Sequence, residues 1–307
     1  MSAPRTRLRV RKQTPSVEVI DLTVEEPPVQ QARKSPTTSR IQALPNKLTA
    51  TLTNLSPPSH ALLLRKQAHL QKYSIDNNVP RDFRKHQASM QATLVFAQEE
   101  AGTAVCVSSD GLLLTCAHCV SDDEEEEEVS PPDPERLYWL LFAAGRAVAA
   151  RCVGWDGRRD LALLRVVAAQ AWADDPRNLD EVPVRFPFAE VEDVQAGPAS
   201  GDRLICVGHP GSEDLEADEP GRKTGYDVLH LSTGRFRGYA EGQDRQDNSE
   251  IGALEHDCWT YWGHSGAPLF GRRSGKVVGL HSSWDDETAM RRGVGLEAVV
   301  AFLEENV

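Results

Sequence analysis

From about residue 89 onward the chain is divided into short apolar runs, and this division limits its fold more than any other feature. Gly, Pro and Asp, which favour turns, separate the runs. Many short strands joined by turns are typical of a β-barrel or a β-sandwich. The runs lie at 92–96, 103–107, 112–115, 137–142, 147–153, 161–166, 204–207 and 276–281. The sequence therefore predicts an all-β domain, closed by a short C-terminal helix at 297–305.

The chain before this domain has a different composition. Residues 1–58 are rich in Pro, Ser, Thr, Gln and Arg and poor in aromatic residues, which predicts a disordered tail. Residues 59–88 predict a helical lead-in, in which Ser59 caps a helix that extends to Tyr73. Residues 89–307 form the predicted β domain.

Net charge and the lengths of the apolar runs argue against nucleic-acid binding, membrane insertion and secretion. The net charge of -12 argues against general nucleic-acid binding, and we interpret the acidic run at 122–128 as a solvated loop. No apolar run approaches the roughly 20 residues of a membrane span, and no apolar stretch follows the basic N-terminus as in a signal peptide. We therefore predict an intracellular protein with no membrane partner, whose six cysteines stay reduced.

Three short segments carry the residue types of a nucleophilic catalytic device. His118 lies in Thr-Cys-Ala-His-Cys, Asp160 begins Asp-Leu-Ala-Leu-Leu, and Ser265 lies in Gly-His-Ser-Gly-Ala-Pro. A serine hydroxyl is a poor nucleophile unless an imidazole takes its proton and a carboxylate fixes the imidazole tautomer. The order His, Asp, Ser predicts a catalytic triad and disfavours an α/β-hydrolase, whose order is Ser, acid, His. The backbone N–H groups of Gly263 and Ser265 are the predicted oxyanion hole.

The segments around these residues resemble those of the HtrA (Deg) family of serine proteases. Residues 102–118 are similar to that family's histidine segment, with Ala104 in place of a second Gly. Residues 145–165 resemble its aspartate segment, 201–210 its Gly-Asp-x-x-x-x-x-Gly-x-Pro strand, and 263–268 its serine segment. The resemblance implies the chymotrypsin fold, with two six-stranded antiparallel β-barrels and the triad in the cleft between them.

Two departures from such proteases shape our expectations. HtrA proteases carry a PDZ domain after the protease, whereas this sequence ends at Val307, so we expect none in the chain. Secreted trypsins pair a new N-terminus with an Asp before the serine, and here that position is His264. We therefore predict activity without zymogen cleavage, and a protein that starts near Pro80 is expected to be active if the helix before it is dispensable.

Thr260 and His281 resemble the P1 pocket of glutamyl endopeptidases and of picornaviral chymotrypsin-like cysteine proteases. Those pockets hold a Glu or Gln side chain with a Thr hydroxyl and an imidazole. The resemblance implies a Glu or Gln preference at P1, and a small apolar P1 residue is the alternative. A trypsin pocket would place an Asp where this chain has Trp259.

The C-x-x-C spacing of Cys116 and Cys119 raises the question of a metal or redox site. The sequence has no second pair at metal spacing, and small thiols suit packed strands. We predict structural packing, with a redox-sensitive site as the alternative, and we predict no metal and no cofactor.

A short aliphatic and acidic segment in the tail resembles a SUMO-interacting motif. Such a motif adds an extended strand to a sheet edge of SUMO, and its acids face a basic patch. The candidate SUMO-binding residues are Val19, Ile20, Asp21, Leu22 and Thr23. A basic cluster within residues 5–12 predicts nuclear import, with a cytoplasmic location as the alternative.

Together these features predict a serine endopeptidase that hydrolyses proteins or peptides and is recruited to SUMO-modified partners. The alternative is a catalytically silent protease fold that serves as a scaffold or a SUMO-binding adaptor. Nucleic acid is not an expected partner.

Overall fold

The computed structural model describes residues 41–73, 79–98, 102–121, 130–170, 185–214, 217, 219 and 221–307, and all but one of the strands in these ranges belong to two closed β-barrels. The first barrel consists of β2 (Thr93–Phe96), β3 (Thr103–Cys106), β4 (Leu112–Thr115), β5 (Tyr138–Phe142), β6 (Ala147–Asp156) and β7 (Leu161–Gln170). It closes because β7 pairs antiparallel with both β4 and β6.

The second barrel consists of β8 (Arg203–Gly208), β9 (His230–Tyr239), β10 (Leu254–His256), β11 (Pro268–Gly271), β12 (Val277–Trp284) and β13 (Arg291–Gly295). Its strands close antiparallel in the order β10-β13-β12-β11-β8-β9. The predicted pair of six-stranded barrels is therefore confirmed. The predicted C-terminal helix is α4, Leu296–Asn306, and its Phe302 belongs to the main apolar core.

Secondary structure begins earlier than the sequence suggested. The strand β1, Gln42–Leu44, pairs in parallel with the end of β7, and the short helix α1, Ala50–Thr53, follows it. Both lie within the segment 1–58, for which the composition predicts a disordered tail. The sequence of β1 is short and only weakly apolar, so it does not by itself predict a strand. The strand forms because it pairs with β7.

The lead-in helix α2 spans Pro57–Lys72, and a further short helix, α3, spans Gln87–Gln91. The N-cap of α2 is Ser56 and not the predicted Ser59, because a Pro at the first helical position has the right φ and needs no N–H partner. Tyr73, where the predicted helix ends, is the C-cap of α2 and is 53% exposed.

One face of α2 is buried against the outside of the first barrel. Leu63 and Leu70 share an apolar cluster with Trp139 and Leu141 of β5. On the same helix the buried Lys66 donates through Nζ to the carbonyl oxygen of Phe96 at 2.8 Å. The lead-in helix is thus part of the folded domain.

Among the described residues, no helix is long and apolar enough to cross a membrane. The candidate SUMO-binding segment, the basic cluster and the acidic run at 122–128 lie outside the described residues.

Candidate functional site

His118 and Asp160 come together at one end of the first barrel's antiparallel β4–β7 ladder, where β4 ends and β7 begins. His118 lies in a single 3₁₀ turn, Ala117–Cys119, directly after β4, and Asp160 lies in the turn directly before β7. His118 Nδ1 is 2.9 Å from Asp160 Oδ1, and the backbone N–H of His118 donates to the same oxygen at 3.2 Å. The imidazole is therefore fixed with its other nitrogen, Nε2, free to face a nucleophile.

Asp160 is almost fully buried and is held by a third group. The hydroxyl of Ser282 on β12 donates to Asp160 Oδ2 at 2.7 Å. Burial opposes ionisation of the carboxyl group, but the charge of His118 and these hydrogen bonds outweigh it and lower the pKa of Asp160. Burial likewise opposes the charged imidazole, yet Asp160, with a smaller contribution from Cys119, holds the pKa of His118 well above its usual value. The pair is a carboxylate that orients a strongly basic imidazole.

Ser265 comes from the second barrel, in the turn before β11. Its hydroxyl donates to the backbone carbonyl of Ser282 at 3.1 Å. Within the described residues, no hydrogen bond joins Ser265 Oγ to His118 Nε2. Ser282 thus contacts both Ser265, through its carbonyl, and Asp160, through its hydroxyl, and links the serine to the His118–Asp160 pair.

The loop before Ser265 has the features of an oxyanion hole. Gly263 has a φ of 98°, a conformation that side chains disfavour. In the part of the chain that the structure describes, the backbone N–H groups of Gly263 and Ser265 have no acceptor. The carbonyl of Gly263 is held from the other side by the Thr103 hydroxyl at 3.0 Å and by the N–H of Gly102 at 3.1 Å. Two backbone donors are thus available beside the serine.

Close backbone contacts require a glycine at position 266, directly after Ser265. A Cβ at this position would lie 2.1 Å from the carbonyl oxygen of Thr103 and 2.4 Å from Thr115 Oγ1. Its backbone N–H donates to the carbonyl of His281 at 2.9 Å. The turn that carries Ser265 and Gly266 is therefore closely packed between the two barrels.

The two residues predicted to bind the P1 side chain lie on neighbouring segments of the second barrel. Thr260 is in the loop that leads to Ser265, and His281 is on β12 directly before Ser282. Both are buried, and Thr260 Oγ1 has no hydrogen-bond partner among the described residues. His281 Nδ1 is 3.1 Å from Nε2 of His256, a fully buried residue on β10.

The cysteines beside His118 pack against the second barrel. Cys116 is fully buried with Sγ 3.5 Å from the carbonyl of His281, and Cys119 Sγ is 3.5 Å from the carbonyl of Ser265. All six cysteines are free. The donor atoms of Cys116, His118 and Asp160 lie within 4.8 Å of one another, a spacing that a metal ion could use. Among these groups, His118 and Asp160 are already hydrogen-bonded to each other through Nδ1 and Oδ1.

Sequence reasoning missed three residues of this site. Ser282 binds Asp160, Thr103 holds the loop at Gly263, and His256 contacts His281. A hydroxyl or imidazole on a predicted strand is an ordinary feature, so the sequence carried no signal for the roles of Thr103 and His256. The position of Ser282 directly after the predicted pocket residue His281 was a usable signal.

Comparison with known proteins identifies a family and similar solved structures. The family model described as "Trypsin-like peptidase domain" matches residues 102–280, which include His118, Asp160 and Ser265. The crystal structure of the serine endoprotease from Yersinia pestis is similar with a TM-score of 0.49 and 18% sequence identity, over 74% of this chain and 67% of that one. No curated protein sequence gives a significant match. Because the family model covers more than half of the sequence, this chain belongs to the trypsin-like peptidase domain family.

Proposed function

We propose that this protein is a serine endopeptidase in which Ser265 is the nucleophile, His118 the general base and Asp160 the orienting carboxylate. The observation that carries the proposal is the 2.9 Å contact between His118 Nδ1 and Asp160 beside a serine whose loop offers two unengaged backbone N–H groups. We also propose kinship with HtrA proteases, on the sequence segments described above.

The proposed mechanism follows from this geometry. Ser265 Oγ turns from the Ser282 carbonyl to His118 Nε2, which takes its proton as Oγ bonds to the substrate carbonyl carbon. The N–H groups of Gly263 and Ser265 stabilise the resulting oxyanion. His118 then gives the proton to the leaving amine as the peptide bond breaks. A water molecule, deprotonated by the same imidazole, then bonds to the acyl carbon; the bond from that carbon to Ser265 Oγ breaks, and His118 returns the proton to Oγ.

Labelling by a fluorophosphonate probe tests this function directly. The wild-type protein should be labelled at Ser265, and the Ser265→Ala variant should not. An absence of labelling on the correctly folded wild-type protein would favour the alternative, a silent scaffold or an adaptor.

The pH dependence of hydrolysis reports on the His118–Asp160 pair. His118 acts only as the neutral imidazole, so kcat/KM should rise as the pH increases through its pKa, which Asp160 holds above 6.5. In Asp160→Asn the charge of the carboxylate is lost, and the midpoint of the remaining activity should move to lower pH. The measurement is kcat/KM on one peptide from pH 5 to 10 for both proteins; identical midpoints would contradict the pairing.

We propose a pocket for Gln or Glu at P1, with Gln preferred at neutral pH. Burial, together with His256 and His264, lowers the pKa of His281 well below 6.5, so this imidazole is neutral. A neutral donor binds an amide oxygen without the cost of a buried, uncompensated carboxylate.

The tautomer of His281 supports this choice. His256 Nδ1 is buried and has no partner among the described residues. A buried N–H without an acceptor is rarer and costlier than a bare ring nitrogen. We therefore assign the proton of His256 to Nε2, which donates to His281 Nδ1. That bond leaves the proton of His281 on Nε2, where it can donate to a P1 side-chain oxygen.

Replacing His281 by Ala should lower kcat/KM for P1 Gln peptides. The corresponding loss of transition-state stabilisation should be roughly 1–3 kcal/mol, the range of a buried hydrogen bond. The control is a peptide with Gly at P1, whose hydrolysis does not use the pocket and should change little. Profiling a peptide library gives the preference itself. Selection of Arg, Lys or large aromatic P1 residues would contradict the pocket, and selection of small apolar residues would favour the alternative.

We propose recruitment to SUMO through the tail and, from the basic cluster, a nuclear location. Aliphatic β-branched residues at 19–24 favour an extended strand, and the acids that follow suit a basic partner surface. This recruitment is independent of the catalytic site, because the segment precedes the folded domain.

A peptide of residues 14–30 should shift NMR signals of labelled SUMO. Replacing Ile20 and Leu22 by Ala should weaken binding strongly, because their apolar side chains fill the groove. Replacing Glu25 and Glu26 should weaken it less, and this smaller part should fade as salt is added. No shift at millimolar peptide would eliminate the motif.

A further inference from the structure

The predicted P1 pocket is closed in this structure. Thr260 is 2% exposed and His281 3% exposed, so a substrate side chain cannot reach either of them without a movement. A polar atom such as Thr260 Oγ1, buried without a partner, is costly unless a ligand satisfies it in another state. The pocket therefore needs an element that opens.

Two tryptophans bridge the two segments that carry the pocket residues. Trp262 lies between Thr260 and the oxyanion residue Gly263, and Trp284 lies at the end of β12, two residues beyond Ser282. Their rings meet edge to face, with centroids 4.7 Å apart and planes at 74°. The contact therefore joins the segment that carries Thr260 to the end of the strand that carries His281.

The two rings differ in how they are held. The Trp284 indole N–H donates to Asp286 Oδ1 at 2.6 Å, which anchors that ring. Trp262 is 44% exposed, although its backbone carbonyl is fixed by the N–H of Gly211 at 2.6 Å. The Trp262 ring can therefore rotate outward without moving the neighbouring oxyanion loop.

We propose that Trp262 and Trp284 form an aromatic gate at the entrance of the Thr260–His281 pocket, and that Trp262 swings away from Trp284 to admit the P1 side chain. This proposal rests on the proposed function. The gate admits slender side chains such as that of Gln, which pass beside the anchored Trp284 ring and then bond to the buried Thr260 and His281. The gate thus selects P1 side chains that can enter the pocket, in addition to the selection by hydrogen bonds inside it.

A closed gate has a defined kinetic consequence. When only a fraction of the protein is open, the apparent dissociation constant rises by the inverse of that fraction. An edge-to-face aromatic pair contributes about 0.5–1.5 kcal/mol, which corresponds to a roughly two- to tenfold change in an equilibrium constant. The gate should therefore act on KM and leave kcat nearly unchanged.

The kinetic test compares Trp262→Ala with wild type and with Trp262→Phe, which keeps a ring against Trp284. Trp262→Ala should lower KM for a P1 Gln peptide about two- to tenfold, while kcat for that peptide and both constants for a P1 Gly peptide stay nearly unchanged. Trp262→Phe should lie between the two. An unchanged or raised KM for P1 Gln in Trp262→Ala, or an equal change for both peptides, would overturn the gate.

A second measurement separates the gate from the catalytic proposal. Two indoles in contact give a coupled circular-dichroism signal, which should be lost in Trp262→Phe and kept in Trp155→Phe, whose ring lies on β6. In Ser265→Ala, which cannot cleave, an added P1 Gln peptide should reduce the signal and a P1 Gly peptide should not. Persistence of the signal with bound P1 Gln peptide overturns the gate, whereas failure of fluorophosphonate labelling overturns the catalytic assignment.

Discussion

Replacing Ser265 by Ala is expected to lower kcat by about 10⁶-fold, and His118→Ala should cost about as much, because the members of a triad act as one unit. Asp160→Asn should cost about 10⁴-fold, because the amide stabilises the wrong tautomer of His118. The measurement is steady-state hydrolysis of one peptide by each purified variant. The loss in Ser265→Ala is expected without unfolding, since within the described part of the chain the Ser265 hydroxyl makes a single hydrogen bond, to the carbonyl of Ser282.

Ser274→Ala is a matched control, because this serine lies in the turn between β11 and β12 and binds the N–H of Lys276. It should retain wild-type activity, and Ser265→Ala and Ser274→Ala should unfold at similar temperatures. Hydrolysis by Ser265→Ala at the wild-type rate would refute the assignment of the nucleophile.

Replacing Leu63 by Ala in the lead-in helix is expected to lower the free energy of unfolding by about 2–5 kcal/mol, the range for a buried leucine. Leu63 is fully buried in the cluster with Trp139 and Leu141, whereas the adjacent Leu64 is 39% exposed. Leu64→Ala is therefore a control with the same chemistry on the same helix, and it should change stability by less than about 0.5 kcal/mol. Urea denaturation of the three proteins measures both values.

The same packing predicts that the helix is not dispensable. A protein that starts near Pro80 would expose the β5 side chains under α2 and lose the Lys66–Phe96 contact, and we expect it to be unstable. The prediction that no zymogen cleavage is needed should therefore be tested on a chain that keeps α2. Equal stability of Leu63→Ala and Leu64→Ala, or a stable and active protein from Pro80 onward, would contradict this prediction. Either result would show that α2 contributes little to the stability of the domain.

The β-barrels could be predicted from the sequence because their strands carry a local signal. Runs such as 112–115 and 161–166 are apolar and bounded by turn residues, and the structure places β4 and β7 there. The start of the ordered chain could not be predicted in the same way. The three residues of β1 are stabilised by pairing with β7, more than a hundred residues later, and no local pattern encodes that pairing.

The candidate catalytic residues were predictable for a different reason. His118, Asp160 and Ser265 each lie next to a strand with a distinctive segment, so their order and surroundings indicated a shared role. Their supporting residues were not predictable, because Ser282 and Thr103 act through single hydrogen bonds between the two barrels.

By itself, the sequence determined the all-β architecture, the order His118, Asp160, Ser265 and the glycines that the serine turn needs. Continuous apolar runs and turn residues are local properties, so neighbouring residues encode them. Only the tertiary structure decided that α2 is part of the domain, that Ser282 holds Asp160, and that the rings of Trp262 and Trp284 contact each other. Each of these depends on contacts between segments far apart in the chain, whose distances are set when the barrels close and pack.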